Sequence, residues 1–155
     1  MKGSCLCGGV VFEVTEVVGP FEICHCNRCR KVSGAAAMPG IGVKTSSYTL
    51  LQGADLIQEY AAPYIYGPPA YLTYFCAKCG SPTPPANPTG ETFEIAAGLL
   101  DDDPGLQPDK HIFVEHVPAW DHISDKLSQH DLKSLYELKH GEPLPESFEQ
   151  KSHYD

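Results

Sequence analysis

Apolar positions along the chain recur mostly at every second residue, in short runs closed by glycine or proline, which is the spacing of half-buried strands. Gly9 to Val17 (GVVFEVTEV) alternates in this way and is rich in valine, predicting a strand that Gly19-Pro20 ends. Phe21-Glu22-Ile23 predicts a short strand running into Cys24, and Tyr71 to Phe75 predicts another running into Cys76. Between them, Gly34 to Gly42 reads as irregular strand or loop, and Tyr48 to Leu51 with Leu56 to Tyr60 reads as a hairpin across Gln52-Gly53-Ala54-Asp55. Thr92 to Ala97 and His111 to Val117 (HIFVEHV) predict further strands on either side of the turn Asp101 to Gly105. Prolines at 82, 84, 85 and 88 exclude regular helix from Ser81 to Pro88. One segment follows the helical period: Asp131 to Lys139 puts Leu132, Leu135 and Tyr136 on one face, with Ser128 or Asp131 to cap its start and Gly141 to end it. The predicted fold is mainly β and antiparallel with little helix, residues 1–141 forming a single domain and 142–155 a charged tail.

Composition leaves that picture intact. At 155 residues the chain can bury a core without disulfide staples. The start lacks the apolar core of a signal peptide and no run approaches a membrane span, so a cytoplasmic protein without membrane contact is expected. The net charge of −9 is uneven: residues 1–80 carry six basic and five acidic groups, the remainder five and fifteen. All seven cysteines lie in the nearly neutral part, and an acidic chain without a basic stripe is not expected to bind nucleic acid.

The cysteines change the picture most. They fall in three clusters, Cys5-Leu6-Cys7, then Cys24, Cys26 and Cys29, then Cys76-Ala77-Lys78-Cys79. In a reducing compartment such spacing points to metal ligation rather than disulfides, and an odd number fits disulfides poorly. Zinc takes four ligands in a closed structural site and often three in an open one, and four and three make seven. Cys7 and Cys79 are each followed by glycine, which allows the positive φ of a tight knuckle, and this favours grouping Cys5, Cys7, Cys76 and Cys79. The competing grouping joins Cys26 and Cys29 to Cys76 and Cys79 as a zinc ribbon. His25 sits between two ligands and should point away from them, whereas His111 and His116 are alternative fourth ligands. Arg28, Arg30 and Lys31 either balance thiolate charge or hold an anionic substrate, with His25 a further candidate beside them. Trp120 and the tyrosines read as core.

Three stretches, Gly3 to Val14, Cys24 to Lys31 and Phe75 to Ser81, together with Ala97 to Asp101, His111 to Val117 and Trp120-Asp121, resemble the glutathione-dependent formaldehyde-activating enzyme family, which also contains a centromere-associated protein. Leu6 stands where many relatives carry histidine. The resemblance implies a β-tent built on paired zinc knuckles, with two zinc ions per chain. Cys5, Cys7, Cys76 and Cys79 would hold a structural zinc, and Cys24, Cys26 and Cys29 a second zinc with an open position. It also implies a carbon–sulfur lyase that forms or cleaves the S-hydroxymethyl adduct of glutathione, or a related small thiol, with formaldehyde. The alternative is a zinc-binding module without catalysis that recognises a protein or captures a thiol.

Overall fold

The computed structural model describes residues 1–62, 71–146 and 148. Ten strands and two α-helices form the regular structure of these residues, as the mainly β reading expects. Strands β1 (Lys2–Ser4), β2 (Val11–Val14) and β5 (Tyr48–Gln52) make one antiparallel sheet in the order β1-β2-β5. Strands β3 (Val17–Cys24), β4 (Met38–Lys44), β8 (Thr92–Ala96), β9 (Lys110–Ile112) and β10 (Ser128–His130) make a second, ordered β10-β9-β3-β4-β8. Strands β6 (Ile57–Ala62) and β7 (Tyr71–Cys76) pair as an antiparallel ribbon. Only β9 departs from the antiparallel rule, running parallel to both β3 and β10.

Successive side chains of a strand point to opposite faces, so the register of the five-stranded sheet assigns its two surfaces. One face turns Phe21, Ile41, Val43 and Ile95 against Phe12 and Val14 of the first sheet, forming the main apolar core. Across the other face, Cys24 pairs with Met38 and Ile112, Glu22 with Gly40 and Lys110, Gly40 with Ala96, and Gly42 with Glu94. Helix α2 (Leu132–His140) lies on this second face, burying Leu135 among Cys24, Met38 and Ile112. Its limits follow the expected signals: the Asp131 carboxylate accepts the Ser134 N–H at 2.8 Å, and Gly141 closes the C-terminus in the left-handed region.

Four expectations need correction. Gly19-Pro20 does not end a strand; the first strand stops at Val14, and Gly19-Pro20 forms a bulge inside β3, where the register with β4 jumps between Val17 and Phe21. A bulge tolerates proline because the extra residue needs no ladder partner. The segments around Gly53 do not form a hairpin, since β5 pairs with β2 and β6 with β7. A 3₁₀ turn at Ala54–Leu56 sends the chain away to the ribbon. His111 to Val117 is not one strand, because β9 stops at Ile112, Phe113 turns into the left-handed region and Val114–His116 forms a 3₁₀ turn. Finally, Asn27–Ser33 is an α-helix, α1, where no helix was predicted. The tail read from residue 142 lies within the described residues only at 142–146 and 148.

The bulge brings the Gly19 carbonyl over Gly42, where an added Cβ would stand 2.1 Å from that oxygen. Gly42→Ala is therefore expected to lower stability by about 1–3 kcal/mol, the range for an overpacked interior, as measured by chemical denaturation against the parent protein.

Candidate metal centres and the cleft beside them

The seven thiols gather as four and three. The sulfurs of Cys5, Cys7, Cys76 and Cys79 all lie within 4.8 Å of one another, and so do those of Cys24, Cys26 and Cys29. In the first group β7 delivers Cys76 at its end, and the loop between β1 and β2 delivers Cys5 and Cys7. Gly8 and Gly80 take positive φ and donate to the carbonyls of Cys5 and Cys76, so each turn closes into a tight knuckle. The Val10 N–H points at the Cys5 sulfur at 3.2 Å, and the Ser81 N–H helps draw the Cys79 thiol down to about 6. Sulfur separations of 3.6 Å (Cys5 to Cys7) and 3.9 Å (Cys7 to Cys76) suit a tetrahedral ion, since thiolates about 2.3 Å from zinc stand about 3.8 Å apart. The donor set fits zinc.

The second group forms where β3 passes into α1. Cys24 ends the strand, and Cys26 caps the helix by accepting the Cys29 N–H at 3.5 Å. Cys29, one turn in, faces the same way. All three are buried against Met38, Ile112 and Leu135. Three thiols in contact cannot all ionise without a cation. Hydrogen bonds from Cys24 and then Cys29 pull the Cys26 thiol strongly down, while its bond to Cys26 pushes Cys24 far up. Cys29 accepts some stabilisation from Cys24 but is raised on balance by Cys26 and burial. A divalent ion would accommodate all three charges, so this group also fits a metal.

Beside the second group lies a cavity of about 230 Å³, lined in part by Val32, Met38 and Ala96, which pack on the cysteines, and by Tyr71, Thr73 and Glu94. Tyr71 and Thr73 also line an adjoining cavity of about 90 Å³ with Arg28 and Lys31. The Arg28 guanidinium stacks 4.5 Å from the centre of the Tyr71 ring. On the next side of α1, Arg30, Lys31 and Trp120 line a third cavity of about 350 Å³. Arg30 is fixed there by donating to the His116 carbonyl at 3.1 Å and to the Asn27 side chain at 3.3 Å.

The model of the glutathione-dependent formaldehyde-activating enzymes matches residues 1–116. The chain belongs to this family. Among its relatives, a Halomonas elongata protein whose name assigns it provisionally to the glutathione-dependent formaldehyde-activating enzymes is 29% identical over 130 residues, covering 81% of this chain and 82% of the relative. A crystal structure of a Rhodobacter sphaeroides protein is 25% identical, covers 70% of this chain and 92% of its own, and superposes with a TM-score of 0.49.

Family membership leaves the placement of individual residues to the structure. Arg28, Arg30 and Lys31 line the cavities beside the three cysteines. His25 is buried, with its Nε2 2.9 Å from Nδ1 of His111, and His111 in turn reaches Asp125 at 2.9 Å. Among the described residues neither His111 nor His116 joins the three sulfurs. Trp120 is not core, being 72% exposed, and Tyr60 is also exposed. The sequence reading missed Tyr71, Glu22 and Glu94. The last two share a sheet face with Cys24, a relation visible only once the strand register is known.

The Leu127 N–H and then His111 hold the Asp125 carboxyl below its ordinary range. A depressed carboxyl stabilises the fold above its unfolded pKa and loses that contribution as pH falls through the folded value. Asp125→Asn is therefore expected to be less stable than the parent at neutral pH, with the difference shrinking below about pH 4, as read from denaturation midpoints across pH.

Proposed function

We propose that this protein is a zinc-dependent carbon–sulfur lyase that forms or cleaves the S-hydroxymethyl adduct of glutathione, or a related small thiol, with formaldehyde in the cytoplasm. One observation carries the reading: the cysteines divide into a group of four that completes a tetrahedron and a group of three that is one ligand short and packs against Val32, Met38 and Ala96, which line an open cleft. Cys5, Cys7, Cys76 and Cys79 would hold a structural zinc, and Cys24, Cys26 and Cys29 the second. Held by Cys24, Cys26 and Cys29, a zinc ion would supply the Lewis acidity that lets a small thiol ionise near neutral pH.

The chain's own residues do the rest. Arg28 and Lys31 on one side of α1, and Arg30 and Lys31 on the next, offer cationic walls to the two carboxylates of a glutathione-like thiol. Arg30 is already anchored by two hydrogen bonds, so little side-chain entropy is lost when an anion arrives. Apolar walls from Val32, Met38 and Ala96 keep water from the sulfur and strengthen each nearby electrostatic contact. His25, bonded to His111 behind the knuckle, orients the Cys24 to Cys26 turn rather than touching substrate.

Burial of the three cysteines favours a second reading, in which both zinc ions are structural and the chain is a binding module. The two readings separate by mutation. The protein is expected to take up two zinc ions per chain and to accelerate exchange between formaldehyde, glutathione and their adduct, followed by NMR. Cys76→Ser should lose the cooperative fold. Cys26→Ser should keep it, while exchange falls to the rate of the protein-free mixture. Unfolding of Cys26→Ser as readily as Cys76→Ser, with no acceleration by the zinc-loaded parent, would instead establish the binding module.

A further inference from the structure

Addition of a thiol to formaldehyde leaves negative charge on the former carbonyl oxygen, and cleavage requires the hydroxyl proton to be removed. A group that carries this proton should lie in the cleft next to the three cysteines and be able to exchange protons with solvent. His25 does not meet this requirement, because its ring is buried and committed to His111. We propose, resting on the reading above, that Glu94 is the acid–base residue that gives the proton to the adduct oxygen and takes it back on cleavage.

Placement carries the assignment. Glu94 lies on the sheet face that bears Cys24, next along β8 from Ala96, which packs against the cysteine group. It lines the 230 Å³ cavity, where Glu94 is the carboxylic acid among the lining residues and Tyr71 and Thr73 are its polar neighbours. Its side chain folds over Gly40, where an added Cβ would stand 2.1 Å from Oε1. A side chain on Gly40 would push the carboxyl out of this position, so the glycine is the notch that seats it. Glu94 as a residue is exposed although its carboxyl is largely desolvated, so the exposed part of the side chain supplies the route for proton exchange.

The charges around it favour a carboxyl that can hold a proton. Desolvation raises it, the Glu22 carboxylate and the Cys26 thiolate add to this, and Lys139 opposes. Glu22 faces it from β3 and is buried between Lys110 of β9, at 3.5 Å, and Lys139 of α2, at 3.7 Å. The two lysines therefore neutralise Glu22 more directly than they serve Glu94. Tyr71 faces Glu94 from β7. The exposure of part of the residue moderates these effects.

The step balances without an added reagent. A sulfur lone pair forms the C–S bond, the carbonyl π pair moves to oxygen, and that oxygen takes the proton of the Glu94 carboxyl. In the other direction the Glu94 carboxylate removes the hydroxyl proton, C=O re-forms, and the C–S pair leaves with sulfur. Water restores the starting protonation state of Glu94 between turnovers.

The test compares zinc-loaded parent, Glu94→Gln, Glu94→Asp and Gly40→Ala by the NMR exchange assay across pH, with zinc content, unfolding and glutathione affinity measured on each. Glu94→Gln should lose about 100-fold or more in exchange rate, the scale of general acid–base catalysis, with zinc content and glutathione affinity unchanged. In the parent, adduct formation should fall as pH rises through the titration of Glu94; this limb should vanish in Glu94→Gln and persist, displaced, in Glu94→Asp. Gly40→Ala, which removes no charged group but displaces the Glu94 carboxyl, should lose activity in the same direction. Parent-like rates and pH profile in Glu94→Gln would overturn the role of Glu94 and leave the lyase reading standing. A loss of rate matched by loss of zinc or of glutathione binding would overturn it in favour of a structural role. A parent no faster than the protein-free mixture would overturn the lyase reading, and the role of Glu94 with it.

Discussion

Strand β3 is hydrogen-bonded on both sides, to β4 and to β9, and both ladders run out at Cys24, which faces Met38 on one side and Ile112 on the other. A strand held from both edges has little freedom in where its last side chain points. Cys24 is therefore placed by the sheet rather than by the loop that follows, and the turn through His25 to the helix cap at Cys26 starts from a fixed direction. The same termination limits β9: once β3 leaves the sheet, Ile112 has no partner to extend the parallel pairing, and the chain turns at Phe113. The three-cysteine group thus lies where the central strand stops, at the rim of the sheet, with one face committed to the core and the other bearing Cys24, Glu22 and Glu94.

That division of faces explains why so much of the architecture was legible and why part of it was not. Alternation along Tyr71–Cys76 and Thr92–Ala96 is a local property, and each appears as a strand close to the expected limits, whereas the expected strand from Gly9 to Val17 keeps only Val11–Val14. Asp131 and Gly141 bound α2 by local capping chemistry, which a sequence states directly. Helix α1 escapes the sequence reading because its cap is a cysteine, a residue outside the usual capping set, and only Gly34, a left-handed stop, marks its end. The supposed hairpin at Gly53 failed for a different reason. A turn signal says that the chain reverses or bends, but the partner of each strand is decided by which apolar face finds a mate, and β5 finds β2 while β6 finds β7.

For the site the boundary falls between residues close in sequence and residues brought together by register. The two clusters of cysteines with their glycines announce knuckles, and Gly8 and Gly80 adopt the positive φ that such turns require. Arg28, Arg30 and Lys31 are adjacent in sequence to the cysteines and reach the cavities simply because they share a short helix with them. Glu22 and Glu94 are 72 residues apart and meet only because β3, β4 and β8 are neighbours in one sheet and their even-numbered residues share a face. Trp120, which reads as core in the sequence, stands 6.0 Å from the Arg30 guanidinium on an open surface.

The electrostatics of the second face follow from the same register. The sulfurs of Cys24, Cys26 and Cys29 concentrate negative charge at the strand end, and Glu22 and Glu94 add carboxylates one step back along the same face. A fold that buried this much acid without compensation would be unstable. Compensation is arranged from several directions: Lys110 and Lys139 close on Glu22, Arg28 stands over Tyr71 at the cleft wall, and the sulfurs themselves form a group suited to a dication. Glu94 is the member of this set left lining a cavity, seated over a glycine. Placing the lysines nearer Glu22 than Glu94 leaves one carboxyl paired and the other adjustable. Such a difference between two otherwise similar acids is what an acid–base role for Glu94, as proposed above, would require.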